Sequence, residues 1–149
     1  MSLEKKISQG IMDAMKARET VRLAALRNVK KYILEAKTAG TNIDELADAD
    51  TLKIIQKLAK QGAESAEIYR TQGRADLADE EAAQVAVLRE FLPRELSDDE
   101  LTATLRNIIT EVGATGPQDM GRVMGVASKR LAGQADGGRI SARVRELLS

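Results

Sequence analysis

Apolar residues recur along this chain at helical spacing, and runs of strand-like alternation are missing. Leu3, Ile7, Ile11 and Met15 return every fourth position, which predicts a first helix over Leu3–Ala17. A second helix is predicted from about Glu19 to Ala39, with Leu23, Leu26, Val29, Ile33 and Leu34 inward and Gly40 as its left-handed stop. Residues 41–50 are acidic and aperiodic, so they read as a loop in which Asp50 caps the next helix. That third helix runs from about Thr51 to Gln72, burying Leu52, Ile55, Leu58, Ala59, Ala66 and Tyr69; Gly62 admits a close neighbour and Gly73 ends it. The fourth, from Ala75 to Leu92, carries Leu77, Val85, Leu88, Phe91 and Leu92 inward, and Pro93 stops it because a mid-helix proline loses a hydrogen bond.

Pro93–Ser97 is the predicted boundary between two domains, 1–96 and 97–149. Ser97-Asp-Asp-Glu100 is a capping box, with two carboxylates beside the positive end of the helix dipole. The fifth helix continues to Val112 with Leu101, Leu105, Ile108 and Ile109 buried, and Gly113 closes it. Gly116-Pro117 opens a sixth, with Met120, Val123, Met124, Ala127 and Leu131 inward. Gly121 and Gly125 share one of its faces, at about 1 kcal/mol each relative to Ala. Two readings account for them: a tight crossing with the fifth or seventh helix, or a backbone laid bare to a ligand. Gly133 ends the sixth helix, and Asp136 caps a seventh that buries Ile140, Val144, Leu147 and Leu148. Its N-terminus, with Gly137, Gly138 and Arg139, offers N–H groups to an anion or simply makes a sound turn. A P-loop is excluded, because the Lys-Ser ending and the preceding strand are both missing.

Composition narrows the picture further. Tyr32, Tyr69 and Phe91 are the only aromatics, so the core is built from aliphatic residues, and the strong helix formers that dominate predict an all-α protein. The chain has no Cys and no His, which removes disulfides, thiolate metal sites and every Ser-His or Cys-His catalytic arrangement. No run of about 18 apolar residues and no secretory leader is present, so a cytoplasmic protein without a membrane is expected.

The 23 basic and 23 acidic side chains cancel, but locally they do not. Residues 1–40 hold nine Lys/Arg against four Asp/Glu, and residues 41–96 hold seven against twelve. From Gly116 onward Arg122, Lys129, Arg130, Arg139, Arg143 and Arg145 face only Asp119, Asp136 and Glu146, an excess that can hold a polyanion. Asp76, Asp79, Glu80 and Glu81 sit where a helix start favours acids, with no nucleophile beside them, and Ser128-Lys129 lacks the partners of a catalytic dyad. Neither a catalytic residue nor a metal or cofactor site is assigned.

Three stretches in order, Gly73-Arg-Ala-Asp-Leu77, Phe91-Leu-Pro-Arg-Glu-Leu-Ser97, and Asp119-Met-Gly-Arg-Val-Met-Gly125 followed by Ala135-Asp-Gly137, resemble the GatB/YqeY family over nearly the full length. The resemblance implies an N-terminal helical bundle of about four helices and a small orthogonal three-helix domain. The latter is similar to the tail domain of the GatB component of the aspartyl/glutamyl-tRNA amidotransferase, a carbon-nitrogen ligase with glutamine as amido-N-donor. That tail touches tRNA, whereas catalysis lies in parts that 149 residues cannot contain. Carried onto this chain, its characteristic positions are Met120, Gly121, Val123, Met124, Gly125, Gly133, Asp136 and Gly137. Arg122, Lys129, Arg130, Arg139, Arg143 and Arg145 are then the candidate phosphate contacts. Family members often have a basic residue after the Gly133 equivalent, where this chain has Gln134.

The first functional expectation is therefore a tRNA-binding accessory module without its own catalytic site, gripping phosphates with arginines and backbone N–H groups and not binding DNA. The alternative is a protein-interaction module that docks a partner helix, from an amidotransferase or another protein, around Met120, Met124 and the glycine pair. A free-standing enzyme of amide transfer from glutamine follows from the family name alone.

Overall fold

A computed structural model describes residues 1–40 and 42–149. Among them run seven α-helices: α1 Leu3–Ala17, α2 Thr20–Thr38, α3 Asp48–Thr71, α4 Ala75–Arg89, α5 Asp98–Val112, α6 Met120–Arg130 and α7 Gly137–Leu148, with a 3-10 turn at Pro117–Asp119. The protein is all-α, and it divides into two compact units, Met1–Leu92 and Pro93–Ser149. No helix among the described residues is long and apolar enough to cross a membrane.

In the N-terminal unit α2 packs against α1, α3 and α4, and α3 and α4 form a long hairpin turned at Gly73, whose φ of +75° favours glycine. Ile7, Leu26, Val29, Ile33 and Ile55 are fully buried at the centre. Gly62 is what lets the hairpin close, because a Cβ there would stand 2.6 Å from Val85 Cγ2. Between α1 and α2 the chain reverses through Arg18, held in the left-handed region at φ 59° without a glycine.

Two inward expectations fail for one geometric reason. A stripe repeated every fourth residue advances about 40° per step on a 3.6-residue helix, so by Met15 it has left the buried face; Met15 is 52% exposed and Ala14 takes its place. Leu34 sits one residue past Ile33, about 100° round the helix, and is 49% exposed. Asp50 does not cap α3. The helix begins earlier, at Asp48, with Ala47 in the cap position and no side-chain cap. Asp48 instead accepts the Leu3 N–H through Oδ1 at 2.9 Å, which ties α3 to the start of α1.

Glu4 is buried although nothing in the pattern marks it. Its carboxylate accepts from Lys37 Nζ at 2.6 Å and from the Leu46 N–H at 3.0 Å, pinning buried Leu46 and the segment before α3 to α1 and α2. Burial pushes this acid up, but Lys37, the Leu46 N–H and Lys30 together outweigh it and hold Glu4 below the usual carboxylate range.

In the C-terminal unit α5, α6 and α7 enclose Leu101, Leu105, Ile108, Val123, Ile140 and Val144, all 2% exposed or less. Both halves of the capping box form: Glu100 N–H donates to Ser97 Oγ at 3.2 Å and Ser97 N–H to Glu100 Oε1 at 3.1 Å. Arg94 adds a two-pronged contact at 3.0 and 2.6 Å, and these donors draw Glu100 down to about 2. Gly113, at φ +68°, closes α5. The 3-10 turn at Pro117 precedes α6, so the proline opens that turn and α6 proper starts at Met120.

Candidate nucleic-acid interface

Position on α6 follows from spacing. Gly121, Arg122, Gly125, Ser128 and Lys129 fall at i, i+1, i+4, i+7 and i+8, one helical face, while Val123 and Ala127 fill the opposite, buried one. Gly121 and Gly125 are exposed, and a Cβ on either would meet nothing within 4 Å. The tight crossing with a neighbouring helix is thereby corrected: no helix of the unit uses the space these glycines leave. What remains is a strip of uncovered helix backbone, flanked by Arg122 and Lys129.

Arg122 is braced and still accessible. Its Nη1 donates to the Val112 carbonyl at 3.0 Å, at the carbonyl end of α5, and its Nη2 to Asp119 Oδ1 at 2.9 Å, with the side chain 58% exposed. Asp119 is held below its ordinary value by the Thr115 N–H first and Arg122 second. Lys129 and Arg145 are exposed and make no ion pair among the described residues.

The other candidates are differently employed. Arg139 donates to Glu95 Oε1 at 3.2 Å, to the Leu96 carbonyl at 3.1 Å and to Asp98 Oδ1 at 2.9 Å. Arg143 donates to Thr102 Oγ1 and pairs with Glu146 at 3.3 Å, with Asp98 at 4.0 Å. These two arginines clamp α7 to the start of α5 and do not stand out together with Arg122. Arg130 pairs with Glu111 at 2.6 Å, which holds that carboxylate low, while both partners stay about half exposed.

At the corner before α7, Gly133 is buried at φ +79° and closes the α6–α7 turn, so it is corrected from a contact residue to a turn residue. Asp136 caps α7 by accepting the Arg139 N–H at 2.9 Å, which already occupies one of the N–H groups offered to an anion. Gly137 is exposed beside it. The Gln134 carbonyl accepts the Leu96 N–H at 2.8 Å, tying this corner to the segment before α5. The expected single grip of six basic groups is thus replaced by a narrower surface, the bare α6 strip with Arg122 and Lys129.

Met120 and Met124 are half-buried against the C-terminal core. Every exposed large apolar side chain among the described residues lies before residue 93. Of the acidic residues at the start of α4, Asp76 pairs with Arg74 and Asp79 with Arg70.

A family model described as "Yqey-like protein" matches residues 4–148. A relative from Schizosaccharomyces pombe, described as "Uncharacterized protein C22F3.15", is 30% identical over 98 residues, covering 65% of this chain and 77% of its own.

Proposed function

The chain belongs to the family of Yqey-like proteins, and from that premise we propose that its C-terminal unit is a non-catalytic module that grips the phosphate backbone of tRNA across the outer face of α6. The observation that carries this reading is the glycine pair. Two glycines in an exposed helix lower its stability by about 1 kcal/mol each relative to Ala, and nothing inside the unit uses the space they leave. A phosphodiester backbone can approach such a helix closely, with Arg122 and Lys129 at its flanks to neutralise charge. The polar character of the exposed surface in 93–149 supports a charged partner over an apolar one. The similarity of this half to an amidotransferase tail that touches tRNA points to the kind of RNA.

With Arg122 and Lys129 on this face of α6, about two phosphates are neutralised there, so the slope of log affinity against log salt should be about −1.5 to −2. The deciding experiment measures bulk tRNA binding by fluorescence anisotropy, alongside thermal melting, for the wild type, Gly121→Ala/Gly125→Ala and Lys129→Ala. The double glycine variant should melt higher and bind more weakly, since the added methyl groups help the helix and obstruct the RNA. Lys129→Ala should weaken binding without moving the melt. The reading fails if tRNA binds no better than it does to albumin at low salt, or if the glycine variant binds as well as the wild type.

A further inference from the structure

The N-terminal unit contains a cleft that the reading of the C-terminal unit does not use. It has two lobes that share Tyr32, Leu58 and Gln61 in their walls. The larger, about 420 Å³, lies between α2 and α3 and is mostly apolar, with Ala36, Ala39 and Ile54 beside the shared residues. The smaller, about 170 Å³, reaches across to α4 and is lined by Asn28, Ser65, Glu81 and Gln84. Gly62 is part of its wall, where a Cβ would stand 2.6 Å from Val85 Cγ2 and 3.6 Å from Glu81 Oε2, so the missing side chain lets α3 and α4 approach closely beside Glu81.

Chemistry divides the cleft as sharply as shape does. The side chains of Asn28, Gln61, Ser65, Glu81 and Gln84 take part in no hydrogen bond within the described protein, and none is left both sealed from solvent and unpartnered. They therefore face water with their donors and acceptors available. Glu81 is half-buried and makes no ion pair among the described residues, unlike Asp76 and Asp79 on the same helix. Across both lobes the charged lining is two carboxylates, Glu35 and Glu81, against one ammonium, Lys57. The exposed Tyr32 ring already carries a cation on its face, Lys31 Nζ at 5.4 Å.

We propose that this cleft binds a small organic cation, a primary amine with a short apolar chain, its ammonium received by Glu81 and the amides of the smaller lobe and its chain laid along Ile54, Leu58 and Tyr32. An apolar cavity with a few convergent polar groups is the general form of a small-molecule site, and the groups here supply acceptors for an ammonium and one negative charge. Lys57 lines the larger lobe and Lys31 sits over Tyr32, but in the smaller lobe Glu81 is the one charged lining residue, so a carboxylate ligand there would meet like charge and a neutral alcohol would forgo the charge. The proposal does not depend on tRNA binding.

The test uses the full chain and three probes of equal length, hexylamine, hexanoate and hexanol, followed by amide shifts in two-dimensional NMR. Hexylamine should give saturable shifts confined to α2, α3 and α4 around Tyr32, Gln61 and Glu81, and hexanoate none. Glu81→Gln should weaken hexylamine by about fivefold, the scale of a partly exposed ion pair, while Gln61→Trp, which fills the shared wall, should abolish the shifts. Should the tryptophan variant not fold, Gln61→Lys sets a tethered ammonium beside Glu81 and should compete in the same way. Linear shifts without saturation, equal binding of hexanoate or hexanol, or an affinity unchanged in Glu81→Gln would each overturn the proposal.

Discussion

The two halves of this chain reach a helical fold by different means. In residues 93–149 α5 and α7 begin with side-chain caps, Ser97 and Asp136, and five of the eight basic residues are paired with carboxylates of the same unit. In residues 1–92 only α1 has a side-chain cap, while α2, α3 and α4 start without one. That unit also leaves Met12, Met15, Val21, Leu34 and Ile68 more than 40% exposed. The C-terminal unit adds side-chain caps and ion pairs, some local and some across the unit, to a small core, whereas the N-terminal one relies on tertiary burial along long helices. Local signals hold helix ends in place, whereas burial tolerates loose ends as long as the centre is filled.

The sharpest way to break the comparison is to empty each core. Leu105→Ala and Leu26→Ala both remove a fully buried side chain, and each should cost about 2–5 kcal/mol in denaturant titrations. If either costs under about 1 kcal/mol, that centre is not what holds its unit together.

Removing Glu4 should come next. Glu4→Ala leaves the Leu46 N–H without its acceptor and Lys37 without its partner, at about 1–3 kcal/mol. The pH dependence has a definite sign. Glu4 is depressed in the folded state, so its contribution is fully present above about pH 4.5, the unfolded value, and is lost as pH falls through the lower folded value. Glu4→Gln should flatten that part of the acid limb of a stability–pH profile, and an unchanged limb would remove Glu4 from the account.

Caps should have smaller effects, of opposite sign in the two halves. Ser97→Ala should destabilise by about 1 kcal/mol, whereas Ala47→Ser supplies the cap α3 lacks, at an extended and exposed position, and should stabilise by about 0.5–1 kcal/mol. The smallest effect expected in this series is from Arg94→Ala, an exposed pair partner of Glu100. It should leave the melt near neutral pH almost unchanged and raise the Glu100 carboxyl from about 2 toward its ordinary value, read by carbon NMR titration.

The contrast also explains which features were legible in the residues alone. α1 and the start and end of α5 could be read because their signals lie within a few residues of one another: Ser97 with Glu100, Val112 with Gly113. The start of α3 could not, because Asp48 is recruited by Leu3, 45 residues away. Glu4 was invisible for the same reason, its partners lying 33 and 42 residues on. At the candidate site the glycine pair announced itself through its cost to helix propensity, but spacing alone left two explanations, and the open space around both positions removed the tight crossing. The roles of Arg139 and Arg143 depend on Glu95, Asp98 and Thr102, more than 40 residues earlier, which no local pattern connects to α7.

The uncovered strip on α6 has a further consequence for motion. A helix with two glycines and no covering neighbour on one side holds its amide ladder less firmly than the capped helices it packs against. Deuterium should therefore enter the backbone of residues 121–129 sooner than that of α5 or α7, and a bound polyanion should slow it there first. The stretch expected to open most readily is then the same stretch whose main chain can be touched.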